Sequence, residues 1–159
     1  MQFSGWHPLV VHFAVSLLIV YVLLEMIGTF FNKEFFSKSA HLILLLGVLA
    51  ALAAVYTGNQ AFQAASKLED QGAIIPLGAI DKHEQAANLA IWYFTILLAV
   101  RTFFVIKKKF SGYIKYIFVV FALIGSFIVY QAGDLGGKLV YKYGVGTDLK
   151  KQEIIKEKN

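Results

Sequence analysis

Four long runs of apolar residues, separated by short polar segments, set the pattern of this chain. The runs cover about 9–31, 41–57, 86–106 and 113–131. Each is close to the ~20 residues that a helix needs to cross a bilayer. Backbone in lipid must satisfy its own hydrogen bonds. The pattern therefore predicts an all-α polytopic membrane protein with four transmembrane helices in an up-down bundle.

Charged residues between the runs predict the orientation of the bundle. Lysines follow the first run and form a triplet, Lys107 to Lys109, after the third run, whereas charges between the second and third runs are mixed. Because lysine-rich loops stay in the cytoplasm, both termini are expected outside. The first run has no basic segment before it and no small-residue cleavage site, so we interpret it as a retained span.

The polar segments define the remaining organisation. Residues 1–149 form one transmembrane domain, with the fourth helix extending past the membrane, and residues 150–159 form a charged tail. A short interfacial helix fits the outer segment 58–82. We find no internal repeat and no second domain.

Composition narrows the chemistry. Hydrophobic residues make up 58% of the chain and charged residues 16%, mean hydropathy is +0.63, and there is no cysteine. Average soluble domains carry about 25% charged residues. The missing cysteines exclude disulfides, thiolate metal sites and covalently attached haem. The net charge of +5 is explained by topology and does not indicate nucleic-acid binding.

Histidines gather near the outer ends of the predicted spans. Measuring depth by the helical rise from each midpoint places His7 and His83 at one depth, with His7 as the cap of the first helix and Pro8 after it. His12 lies deeper, at the level of Thr57, Asn88 and Tyr130-Gln131, whereas Asp134 is near the His7 level. Ionisable groups within spans usually face the bundle interior.

One interpretation of this histidine layer is a single b-type haem. His83 would bind the iron from one side, and His7 or His12 from the other; depth favours His7, and burial favours His12. Asn88, Gln131 and Asp134 are the candidates for orienting the ligands through hydrogen bonds. The inner half of the bundle has one histidine, His41, so a second bis-histidine haem is not expected.

Two other interpretations remain open. His7, His12 and His83 could bind a zinc or copper ion, although the spacing of five between His7 and His12 does not suit chelation from one helix. The histidines could also have only structural roles, in a membrane subunit or scaffold. A hydrolytic enzyme has little support, because no nucleophile elbow, phosphate loop or paired-carboxylate site is present.

Two further features concern packing. Glu25 and Arg101 fall at one depth in the inner half, and we expect a buried ion pair between the first and third helices. Gly133 and Gly137 have the small-xxx-small spacing that permits close helix approach, and the fourth helix is expected to stop near Gly144.

The motifs together resemble a bacterial family of four-helix membrane proteins, catalogued as a domain of unknown function. The resemblance covers nearly the whole chain. It rests on His-Pro-Leu-Val-Val-His-Phe over 7–13, Thr-Gly at 57–58, His-Glu at 83–84, Gly-Gly-Lys-Leu-Val-Tyr over 136–141 and Gly-Val-Gly over 144–146. Two positions differ from the family pattern: Ala14 stands in place of a proline, and Tyr143 in place of a histidine.

The resemblance implies a location and partners. Similar domains are sometimes joined to c-type cytochrome modules, which implies electron transfer at the outer face of a bacterial inner membrane. The expected partners are the lipid bilayer and a quinol or periplasmic cytochrome, and an oligomer is compatible with the sequence. An electron-transfer or binding protein is favoured over an enzyme.

Overall fold

Four α-helices build the chain, in a computed structural model that describes residues 6–70, 72 and 74–145. The helices are α1 (His7–Phe30), α2 (Glu34–Asp70), α3 (Leu77–Ile106) and α4 (Tyr113–Tyr141). Each contains a stretch long and apolar enough to cross a membrane. The expected all-α, four-span architecture is confirmed.

The helices form a ring around a common core. α1 and α3 each contact α2 and α4. α1 therefore lies diagonally opposite α3, and α2 lies diagonally opposite α4. Tyr21, Leu44, Phe94 and Ala122 are fully buried, one from each helix. The rings of Tyr21 and Phe94 pack edge to face, with centroids 6.3 Å apart. Many other apolar side chains on all four helices are exposed, which suits contact with lipid.

The second and third helices extend beyond the predicted spans. α2 continues as helix past Gly58 to Asp70, and α3 begins at Leu77. Most of the segment 58–82 is therefore helical, whereas the sequence suggested only a short interfacial helix there. Hydropathy reports where a helix leaves the lipid, and a helix can continue into water beyond that point. α4 also continues past its apolar run, as expected, and Gly144 follows it with φ of 63°.

α1 and α3 end in the same way. Asn32 and Lys108 have positive φ angles of 47° and 54°, as in a Schellman turn. The N–H groups of Lys33 and Lys109 close these turns by donating to the carbonyls of Gly28 and Phe104, at 3.1 Å and 2.9 Å. The two helices thus share a terminal turn as well as a direction.

The two hairpins, α1–α2 and α3–α4, repeat the same packing. A Cβ atom on Gly47 of α2 would lie 2.8 Å from Leu18 of α1, and one on Gly125 of α4 would lie 2.6 Å from Phe94 of α3. Leu18 and Phe94 are separated by the same sequence interval as the terminal turns at positions 32 and 108. The expectation of no internal repeat is therefore wrong. The hairpins correspond in the positions of their packing glycines and of the turns that end α1 and α3.

The charged tail, residues 150–159, lies outside the described residues.

Candidate functional site: a pair of anchored histidines

His7 lies at the end of the bundle where α1 begins. It is the first residue of α1, and Trp6 occupies the cap position that the sequence assigned to His7. The His7 Nδ1 atom is 3.0 Å from the Thr57 hydroxyl of α2. That hydroxyl donates its hydrogen to the Ala54 carbonyl, also at 3.0 Å. Because a hydroxyl has one hydrogen, it must accept a hydrogen bond from His7 Nδ1–H.

His83 is held in the same way by α4. Its Nδ1 atom is 3.0 Å from the Ala132 carbonyl oxygen. A carbonyl only accepts, so Nδ1–H of His83 is the donor. In a neutral imidazole with hydrogen on Nδ1, Nε2 carries the free lone pair. Both His7 and His83 therefore present Nε2 as an electron-pair donor, and no described residue forms a hydrogen bond with either Nε2.

A glycine packs against each imidazole. A Cβ atom on Gly58 would lie 3.0 Å from Cε1 of His7, and one on Gly136 would lie 2.9 Å from Cε1 of His83. Any larger residue at these positions would force the ring to move, because carbon atoms in contact prefer about 3.5–4.0 Å. The neighbouring helix thus fixes each ring through one hydrogen bond and through the close approach of its glycine backbone.

The two anchored histidines are equivalent in the repeat. His7 and His83 are separated by the same sequence interval as Leu18 and Phe94 in the core. Gly58 and Gly136 are likewise separated by the same number of residues as Gly47 and Gly125, the glycines that pack in the core. The helices of the two histidines, α1 and α3, are diagonal in the bundle.

The carbonyls that anchor the rings also correspond. Ala54 and Ala132 are separated by the same interval as the two glycines beside the rings. The Thr57 hydroxyl bridges from the Ala54 carbonyl to His7, whereas the Ala132 carbonyl contacts His83 directly. The two hairpins therefore anchor their histidines at equivalent points by slightly different means.

His12 is not part of this pair. Its side chain is exposed on α1, between the exposed residues Leu9 and Phe13. The interior position that the sequence predicted for His12 is therefore wrong. The spacing of five puts His12 about 140° around the helix from His7, so the two histidines face different surroundings.

The residues expected to orient the histidines do not do so. Gln131 and Asp134 are exposed, and Asp134 pairs with Lys138 one turn later on α4. Asn88 is half-buried and forms no hydrogen bond with any histidine among the described residues. The Thr57 hydroxyl and the Ala132 carbonyl take that role. Thr57 had been placed at the level of His12, and a backbone carbonyl has no signal in the sequence.

The glycines of α4 act differently from the prediction. A Cβ atom on Gly133 or Gly137 would meet no atom of another helix within 4 Å. The small-xxx-small spacing therefore does not mark the close contact. Gly125 and Gly136 make the close approaches to α3 instead.

The buried ion pair between α1 and α3 is present. The Arg101 Nη2 and Glu25 Oε2 atoms are 2.9 Å apart, and both side chains are 1% exposed. Arg101 also donates to the backbone carbonyl of Ser37 at 2.9 Å, so it ties α3 to α2 as well. The number of residues from His7 to Glu25 equals the number from His83 to Arg101. The ion pair therefore joins equivalent positions of the two hairpins.

Among the described residues, no third side chain lies beside the two anchored histidines to complete a metal site. No group of three or more histidine, cysteine, aspartate or glutamate side chains is placed to hold a metal ion in residues 6–70, 72 and 74–145. The three histidines of the predicted metal site are thus not gathered, because His12 points away.

Residues 5–149 match the model of the family described as Predicted membrane protein (DUF2231). The chain belongs to this family. The match spans both hairpins and both anchored histidines, so the DUF2231 domain corresponds to the whole bundle. With its four apolar helices, the chain is a multi-pass membrane protein. No curated protein and no solved structure matches it significantly.

Proposed function

We propose that this DUF2231 protein binds one b-type haem between His7 and His83 and transfers electrons. The observation that carries the proposal is the matched presentation of two Nε2 lone pairs by equivalent histidines of the two hairpins. A hydrogen bond from the second ring nitrogen is the usual way in which proteins orient a ligating histidine.

The number of protein ligands favours haem over a metal ion. Structural zinc sites take four protein ligands and catalytic sites three. A porphyrin supplies four nitrogens of its own, so the iron needs only axial ligands from the protein. Two histidines complete that set, whereas they leave a zinc site short of protein ligands.

Small residues support a flat ligand near the histidines. Ala14 and Ala90 follow His7 and His83 by two helical turns along the same faces, and both are buried in the bundle. They correspond to each other in the repeat. A haem bound there would supply reversible one-electron chemistry at the iron. The protein would hold the two imidazoles rigidly and surround the ligand with apolar helices.

The position of the site suggests its partners. His7 and His83 lie at the opposite end of the bundle from the lysines of the α1–α2 and α3–α4 connections. By the positive-inside rule, this end faces the outside of a bacterial plasma membrane. We therefore propose a quinol in the membrane or a periplasmic cytochrome as the redox partner.

An absorption spectrum of the detergent-purified full chain, expressed with haem supplied, tests the proposal. The expected result is a Soret band, with one haem per chain by pyridine haemochromogen assay. A protein that is folded but lacks a Soret band would refute it. Metal analysis of the same sample then separates the alternatives: bound zinc or copper supports a metal-ion site, and no metal supports a scaffold.

A further inference from the structure

A cavity of about 630 Å³ opens at the end of the bundle opposite the histidines. The C-terminal ends of α1 and α3, the first turns of α2 and α4, and the loop before α4 surround it. Pockets of roughly 300–1,000 Å³ are typical of small-molecule sites. Its lining includes one carboxylate, Glu34, and His41, together with four cationic side chains: Lys38, Arg101, Lys108 and Lys115.

Two of these cations pair with no carboxylate among the residues that the structure describes. Arg101 pairs with Glu25, and Lys38 pairs with Glu34 at 2.9 Å. Lys108 and Lys115 contact no carboxylate in the described part of the chain. Even with Glu34 in the lining, the cationic side chains around the cavity outnumber the carboxylates.

The backbone and neighbouring side chains position these groups. Lys108 sits in the left-handed turn that ends α3, where its φ is 54°. The Nζ atom of Lys115 donates to the Asn32 side chain at 3.0 Å, and the Arg101 guanidinium stacks over Phe110, 4.3 Å from the ring centroid. The buried Nδ1 atom of His41 has no hydrogen-bond partner among the described residues. These groups are arranged around the cavity before any ligand arrives.

Apolar surface adjoins the charged cavity. Val105 and Phe110 form part of the lining, and the neighbouring side chains of Ile106 and Tyr113 are 71% and 75% exposed. A ligand that combines a negative head with an apolar tail matches both surfaces. Basic pockets between transmembrane helices are suited to phospholipid headgroups.

We propose that this cavity binds the phosphate headgroup of an anionic phospholipid. Lys108 and Lys115 contact the phosphate, Arg101 and His41 lie at the base of the cavity, and an acyl chain runs along the exposed side of α3. The proposal is independent of haem binding, because the cavity lies at the other end of the bundle.

Lipid titration of the detergent-purified full chain tests this site, with native mass spectrometry as the readout. Short-chain phosphatidylglycerol should bind more tightly than phosphatidylcholine. A Lys108→Gln/Lys115→Gln double variant should lose about 30-fold in affinity for phosphatidylglycerol, at about 1 kcal/mol per lysine. Melting of each variant without lipid, followed by circular dichroism, verifies that it is folded.

Lys107→Gln/Lys109→Gln is the matched control. It removes the same charge from the same end of the bundle, and both lysines are exposed and outside the lining. This control should keep the affinity of the native protein. Equal weakening of both double variants would overturn the proposal, because it would indicate only general attraction to negative charge. Binding of glycerol phosphate as tight as that of phosphatidylglycerol would also overturn it, in favour of a soluble phosphate.

Discussion

Thr57 and Ala132 determine which ring nitrogen of each anchored imidazole carries the hydrogen and which one is left free. Both fix hydrogen on Nδ1 and leave Nε2 free, the arrangement that an axial ligand requires. The two solutions differ, because a hydroxyl bridges His7 to the Ala54 carbonyl whereas His83 reaches the Ala132 carbonyl directly. The orientation of His7 therefore depends on a side chain and can be changed by mutation.

Thr57→Val should weaken haem binding by about tenfold, the lower end of the range for loss of a ligand-orienting partner. The effect is limited because the Ala54 carbonyl, released from the hydroxyl, stays near the ring. Haem titration into the apoprotein measures the affinity. Thr102→Val is the control, because Thr102 also donates to a carbonyl of its own helix, at 2.7 Å, and touches no histidine. Equal affinities of the two variants would contradict the role of Thr57.

Gly136→Ala should displace the His83 imidazole, since the new methyl group would start 2.9 Å from Cε1. We expect about tenfold weaker haem binding, as for the loss of an orienting contact. Gly137→Ala, at the next position, meets no other helix and should instead add about 1 kcal/mol of helix stability with haem affinity unchanged. The contact with His83 would be unimportant if the two alanine variants bound haem equally.

Residue positions were predictable from the sequence only in part. The Glu25–Arg101 pair could be found because two charged groups in apolar runs at one depth have few other partners. His12 could not be placed, because depth along a helix says nothing about direction around it. The Ala132 carbonyl was invisible, because every residue has a carbonyl and only the packing selects this one.

The helices were predictable where they lie in lipid and not where they leave it. All four spans follow from apolar runs. The part of α2 after Gly58 escaped the prediction because its alanines and polar residues form a helix that hydropathy does not detect. The repeat was not found in the sequence because α1 and α3 have few identical residues at equivalent positions. In addition, equivalent positions are slightly further apart in sequence for α2 and α4 than for α1 and α3.

The Glu25–Arg101 contact joins the diagonal helices, and its loss should be strongly non-additive. Removing one partner leaves a buried charge unpaired, at a cost of about 3–5 kcal/mol. Glu25→Ala and Arg101→Ala should thus each lower stability in detergent melting, with the double variant little worse than either.

The control for this ion pair is Glu34–Lys38, whose side chains are 80% and 77% exposed. Their coupling should be only about 0.3–0.5 kcal/mol, because water screens an exposed pair on one helix. Additive losses at Glu25 and Arg101 would contradict a buried interaction.

The whole bundle consists of two corresponding hairpins. Equivalent positions contact each other at one end, where Glu25 pairs with Arg101, and His7 and His83 are the equivalent positions at the other end. The equivalent positions differ between the two ends: histidine stands in both hairpins at one end, whereas glutamate stands in one hairpin and arginine in the other at the opposite end. If the proposed ligand binds between the histidines, each hairpin would supply one of its two protein ligands.

The most direct test of this account is the absorption spectrum of three purified variants beside the native protein. His7→Ala and His83→Ala should each lose the Soret band, because either change removes one of two axial ligands, while size-exclusion chromatography verifies that the chains remain folded. His12→Ala should keep the full spectrum, because that side chain is exposed on the outside of α1. A native spectrum retained in His7→Ala or His83→Ala, or lost in His12→Ala, would contradict a haem held between the two hairpins.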